Sequence, residues 1–220
     1  MQCSKDTIKN INIVIGCNIG CSYCYARMNN NRFHTIDDFN KPVFFENKLK
    51  MLNNKRHTAY LLTGQSDLSG WNEEWKDKVF SKMKENENTQ YIFLTKRPEN
   101  INLKETPDNG WFGVTVTSSK EKTRIDYLRN NIKAKHYHIT FEPMFDDVGK
   151  LDLNNISWIV IGTETGNRKG KISSKREWVF NIYNQAKEKN IPVFMKEDLL
   201  GILNEDEFVQ EFPKEFGGIK

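Results

Sequence analysis

The residues best suited to chemistry in this 220-residue chain fall within positions 16 to 25, Gly-Cys-Asn-Ile-Gly-Cys-Ser-Tyr-Cys-Tyr. Three of the four cysteines, Cys17, Cys21 and Cys24, share this stretch in a C-x₃-C-x₂-C spacing, and Cys3 is the remaining one. Thiolates this close together on a glycine-containing loop can turn inward on one soft metal centre. Structural zinc favours four ligands in two separated pairs, and an ordinary ferredoxin-type cluster also uses four thiolates. With three cysteines together and no second pair, one coordination position stays open for another group, and an open position points to reactivity rather than scaffolding. A zinc knuckle completed by a distant histidine is the plainer alternative. A disulfide framework fits worse, because three clustered cysteines leave a free thiol or a strained bridge.

A metal loop needs elements to hold it, and seven apolar runs supply them: 11–15, 59–63, 91–95, 112–116, 137–141, 158–161 and 192–195. Near-continuous apolar strands suit a parallel sheet buried on both faces. Helical segments lie between them. Asn72 can cap a helix whose buried stripe is Trp75, Val79 and Met83, and Trp178, Ile182 and Ala186 form a second stripe. Ser118-x-x-Glu121 and Ser174-x-x-Glu177 have capping-box spacing. Alternating strands and helices predict an α/β fold, a partial (β/α) barrel of about six parallel strands over residues 1–200. Residues 201–220 read as a short helix and a loose tail.

In such barrels reactive groups collect at the C-terminal ends of the strands. Here these ends carry Gly64, Gln65, Ser66 and Asp67, then Thr95 and Lys96, Thr117, Glu142, Glu164 and Lys196. The simpler reading is a ring of structural ion pairs, such as Lys96 with Glu142 or Lys196 with Glu164. The four histidines show no metal-ligand spacing, and His138 reads as a packed residue. The loop Gly166–Lys175 holds Arg168, Lys169, Lys171 and Lys175 without an acid, so an anionic substrate, a nucleotide or nucleic acid, is the first expectation there.

Thirty-three Lys and Arg residues against 29 Asp and Glu give a net charge of +4. Hydrophobic residues make up 37% of the chain, enough for a real core and against global disorder. No apolar run reaches the length of a membrane span and no leader pattern opens the sequence, so a cytoplasmic protein without membrane contact is expected. An exposed iron–sulfur centre also calls for a reducing compartment.

With the aromatic Tyr23 before its last cysteine, the loop resembles that of the radical S-adenosylmethionine superfamily. The strand ends Leu94-Thr95-Lys96-Arg97-Pro98, Phe141-Glu142-Pro143, Ile161–Gly166 and Phe194-Met195-Lys196, with Trp111–Val116, are similar to a phage-associated, radical-SAM-like family of unassigned function. Residues 41–49 bear a slighter likeness to the spore photoproduct lyase branch. The resemblance implies a [4Fe-4S] cluster on Cys17, Cys21 and Cys24 and S-adenosylmethionine as cofactor. It implies contacts to that cofactor from Tyr23, Gly64, Gln65 and Ser66, while their places at the strand ends make Thr63, Thr95 and Thr117 further candidates for the cofactor and Asp67, Lys96, Glu142, Glu164 and Lys196 candidates for substrate chemistry. It further implies an external flavodoxin- or ferredoxin-like electron donor. The superfamily's Gly-Gly-Glu is Thr63-Gly64-Gln65 in this chain. The rival from another class is a non-catalytic iron–sulfur or zinc module that binds nucleic acid.

Overall fold

The computed structural model describes residues 8–54 and 58–217; Cys3, His57 and residues 218–220 lie outside them. The described residues form nine strands: β1 (Ile8–Asn10), β2 (Val14–Ile15), β3 (Val43–Phe44), β4 (Ala59–Leu61), β5 (Gln90–Thr95), β6 (Gly110–Thr115), β7 (His136–Phe141), β8 (Ile156–Ile161) and β9 (Val193–Met195). Seven of them make one parallel sheet in the order β1-β4-β5-β6-β7-β8-β9. Each crossover therefore steps to the next strand in the same direction, which stacks the connections on one face and curls the sheet into a half-barrel. The sheet has one strand more than the six expected.

Four α-helices among the described residues accompany the sheet: α1 (Tyr25–Phe33), α2 (Glu73–Lys84), α3 (Thr123–Asn131) and α4 (Arg176–Glu188). Asn72 caps α2 through a 2.9 Å bond from the Trp75 amide, and Val79 and Met83 are fully buried. Alternate strand residues such as Tyr60, Phe93, Phe112, Ile139 and Ile159 form one cluster with Val79 and Met83 of α2, Leu128 of α3 and Ile182 of α4. That cluster is the outer layer of the core.

The inner face has a separate apolar floor. Ala59, Ile92, Trp111, Trp158 and Phe194 gather there with Phe216 from far along the chain. The segment after β9 runs back against it: the Glu211 amide donates to the Val193 carbonyl and the Met195 amide to the Val209 carbonyl, both at 2.8 Å. Thr58, just before β4, donates to the Phe216 carbonyl at 3.0 Å. In place of the expected tail helix there are two 3₁₀ turns, Glu205–Glu207 and Lys214–Phe216, joined by a strap that runs along β9 to the N-terminal end of the half-barrel.

Two further expectations are corrected. The apolar run 11–15 is not a barrel strand: β1 ends at Asn10, and Val14–Ile15 leaves the sheet to pair antiparallel with Val43–Phe44. Neither serine forms a capping box. Glu121 turns back to Thr117, and the Ser174 hydroxyl bonds Thr163 and the Met144 carbonyl, leaving Lys175 at the start of α4. Higher in the lumen, Thr115 and Thr140 are buried, whereas Leu61, Leu94 and Val160 are only half-buried, so the C-terminal mouth is open.

Candidate metal centre

The cysteine loop starts from the β2–β3 ribbon and is pinned to the sheet at Gly16. That residue has φ of +114°, and a Cβ there would stand 2.8 Å from the Pro42 backbone, so only glycine fits. Its amide donates to the Gln65 carbonyl at 3.0 Å, tying the loop to the turn after β4. The Cys17 amide donates to the Phe39 carbonyl. Cys24 is the N-cap of α1, its sulfur accepting from the Arg27 amide at 3.4 Å. The Arg27 guanidinium then reaches back over the loop, donating to the Cys17 carbonyl at 2.8 Å and to Asn40 at 3.0 Å, with its carbon 5.0 Å from the centre of the Phe39 ring.

All three thiols are free and partly buried. Burial pushes the Cys17 thiol up to about 11, and the negative charges of Asp67, Cys21 and Cys24 push the same way. Among the described residues no set of three His, Cys, Asp or Glu side chains stands ready to hold a metal ion.

Around the thiols lie several residues that the sequence singles out. Tyr23 packs edge-on against Phe145, with ring centres 5.3 Å apart, and Lys96 Nζ stands 5.7 Å above its ring. Burial raises the Tyr23 phenol far above its usual range, and the neighbouring Cys21 adds to this. Tyr25 donates to the Gly64 carbonyl. Its phenol is raised by burial first and then by the charges of Glu142 and Cys24, and Glu142 itself is ion-paired with Lys196. Asp198 stands 3.7 Å from Lys196. Burial alone would lower the Lys196 ammonium, but Glu142 outweighs it and the net shift is upward. Gly162 makes room for this triad, since a Cβ there would fall 3.0 Å from Lys196 and 3.2 Å from Glu142.

The other predicted residues are committed to holding loops. Asp67 accepts from Thr95, from the Lys96 amide and from Ser69, at 2.6 to 3.0 Å. Thr63 accepts from the Leu94 amide, Ser66 from Trp71, and Thr117 donates to Glu121 at 2.7 Å. Gln65 contributes its backbone carbonyl to Gly16. Glu164 is 3% exposed and takes a two-pronged bond from Arg168, which removes that arginine from the free basic set of the 166–175 loop. Of the two ion pairs considered, neither forms; Lys196 crosses to Glu142. Sequence reasoning missed Arg27, Asn12, Asp198 and Phe145. Arg27 had a usable signal, three residues after a cysteine that caps a helix.

A family described as "Protein of unknown function (DUF5131)" matches residues 5–217, almost the whole chain. The chain belongs to the DUF5131 family. This corrects the resemblance to the radical S-adenosylmethionine superfamily, its phage-associated relatives and the spore photoproduct lyase branch: the family matched across this DUF5131 chain is another one, and no radical-SAM family supports the likeness. Among curated proteins it is similar to Lipase 1 of Staphylococcus aureus, strains Mu50 and N315 for example, at 35% identity over 98 residues. That stretch is 44% of this chain and 14% of each lipase, so the chain spans about one-seventh of those relatives. No solved structure matches. No helix among the described residues is long and apolar enough to cross a membrane.

Proposed function

We propose that this protein is a redox enzyme in which Cys17, Cys21 and Cys24 hold a [4Fe-4S] cluster at the open mouth of the half-barrel, with S-adenosylmethionine as cosubstrate. The observation that carries this reading is the placement of three free, partly buried thiols on one clamped loop tied to the turn after β4, with no fourth cysteine among the described residues. When bound, such a cluster supplies one electron to the sulfonium of S-adenosylmethionine, opening its carbon–sulfur bond for hydrogen abstraction from a substrate.

The chain's own residues support this in separable ways. Arg27 and the Gly16–Gln65 bond fix the loop before any metal arrives. Tyr23 and Phe145 present an aromatic wall, and Lys96 adds a cation over it. The half-buried pair Glu142–Lys196, with Asp198, is the set of charged groups suited to orienting a polar substrate or moving a proton. Lys96, Lys169 and Lys171 favour an anionic substrate, with a nucleotide or nucleic acid as the class to try first. The rival, a non-catalytic nucleic-acid module, draws less support, since Arg168 is taken up by Glu164 and a binding module needs no charged triad at the mouth.

Anaerobic reconstitution tests the proposal. About four irons and four sulfides per chain are expected. Cys17→Ala, Cys21→Ala and Cys24→Ala should each lose them, and Cys3→Ala should not. Reduced, loaded protein should convert S-adenosylmethionine to 5′-deoxyadenosine and methionine. One zinc per chain without iron uptake would overturn the reading.

A further inference from the structure

Two buried side-chain polar atoms among the described residues lack a hydrogen-bond partner, Nδ1 of His138 and Oδ1 of Asn12. The histidine is enclosed in the core, where its other ring nitrogen is bonded. Asn12 is placed differently. It follows β1 at the rim of the half-barrel, beside Gly64 at the end of the β4 segment. A Cβ on Gly64 would lie 3.0 Å from Asn12 Oδ1 and 3.4 Å from the Asn10 amide group, so a side chain there would crowd both asparagines. Gly64 and Asn12 are both held in place: Tyr25 donates to the Gly64 carbonyl, and Lys48 donates to the Asn12 main-chain carbonyl at 3.0 Å. A carbonyl oxygen shielded from solvent and given no donor costs stability, and such atoms stand out in a structure that satisfies nearly all its other buried polar groups.

We infer that Asn12 Oδ1 is an acceptor kept for an N–H donor of the small molecule that binds at the mouth, with Gly64 as the floor of that subsite. This rests on the proposal that the molecule is S-adenosylmethionine, which carries two such donors, its α-ammonium and the amino group of its adenine. Asn12 is then a recognition residue that the protein itself leaves unsatisfied. Gly64 is required because any side chain there would press on Asn12 Oδ1.

Calorimetric affinities of wild-type protein and Asn12→Ala for S-adenosylmethionine, 5′-methylthioadenosine and 5′-methylthioinosine test the inference. An ammonium partner predicts about a 10-fold loss for S-adenosylmethionine and none for the two thio-nucleosides. An adenine partner predicts that loss for S-adenosylmethionine and methylthioadenosine but not for the inosine compound. In either case the thermal midpoint of the unliganded variant should be unchanged or higher, because no native bond is removed. Equal loss for all three compounds, no loss for any, or a lowered midpoint would overturn the assignment and mark Asn12 as structural. Wild-type protein that binds none of them would overturn the S-adenosylmethionine reading, and this inference with it.

Discussion

His138 lies directly over Gly113, where a Cβ would come within 2.4 Å of the imidazole. Its Nε2 donates to the Phe93 carbonyl at 3.0 Å, so the neutral ring carries its proton on that nitrogen. Burial lowers its pKa from 6.5 to about 4. Between those values the unfolded chain takes up a proton that the folded chain refuses, so stability falls as pH drops from 6.5 towards 4, by about 3 kcal/mol at most. Denaturant unfolding at pH 7 and pH 5 should show the slope, and His138→Leu should flatten it. Gly113→Ala should destabilise by about 1–3 kcal/mol, through a clash that the packed ring cannot relieve. At this scale the site was only partly legible in the sequence. The cysteines announce themselves by spacing. The orphan oxygen of Asn12 does not, because it is defined by what packs around it. The sequence alone leaves Arg168 free and offers Glu164 to Lys196, whereas Glu164 takes Arg168 four residues on, and the choice of Glu142 for Lys196 required the curl of the sheet.

Helix α1 and the loop before it behave as one element because Arg27 ties them together. Arg27→Ala should lower iron incorporation about two-fold or more and leave the thermal midpoint of the apoprotein within a few degrees of wild type; a collapse of both would show that the clamp supports the fold rather than the loop. Three cations of the 166–175 loop are not bound to Glu164: Lys175, at the start of α4, and the pair Lys169 and Lys171. If that loop reads phosphate, replacing both with Ala should reduce the log–log salt slope of oligonucleotide binding by about 2. Arg168→Ala should instead free a buried carboxylate and loosen the loop. Apolar runs made the later strands readable. The first strand was misplaced because Ile11–Ile15 looks continuous, whereas the chain turns there and Val14 and Ile15 find a different partner. The tail reads as a short helix with a loose end, but only 3₁₀ turns form there, at Glu205–Glu207 and Lys214–Phe216, and pairing with β9 draws the stretch between them along the sheet.

Across the whole molecule, the half-barrel has an open, polar mouth and a sealed, aromatic floor. Phe216 is 1% exposed and packs against Trp111 and Trp158 at 4.8 and 5.2 Å between ring centres. Phe216→Ala should cost about 3–5 kcal/mol in denaturant unfolding, while a Lys169→Ala control at the mouth should cost almost nothing. The strap also bears on how the chain folds as it is made. All seven strands of the sheet have been synthesised by Met195, yet Trp111, Trp158 and Phe194 stay uncovered until residues 212–216 have emerged. A nascent chain passes through an interval in which a wide aromatic surface faces solvent beside a parallel sheet that is slow to assemble. A ribosome paused in that stretch would hold a complete sheet with an unprotected base, a natural target for chaperones that bind apolar surfaces.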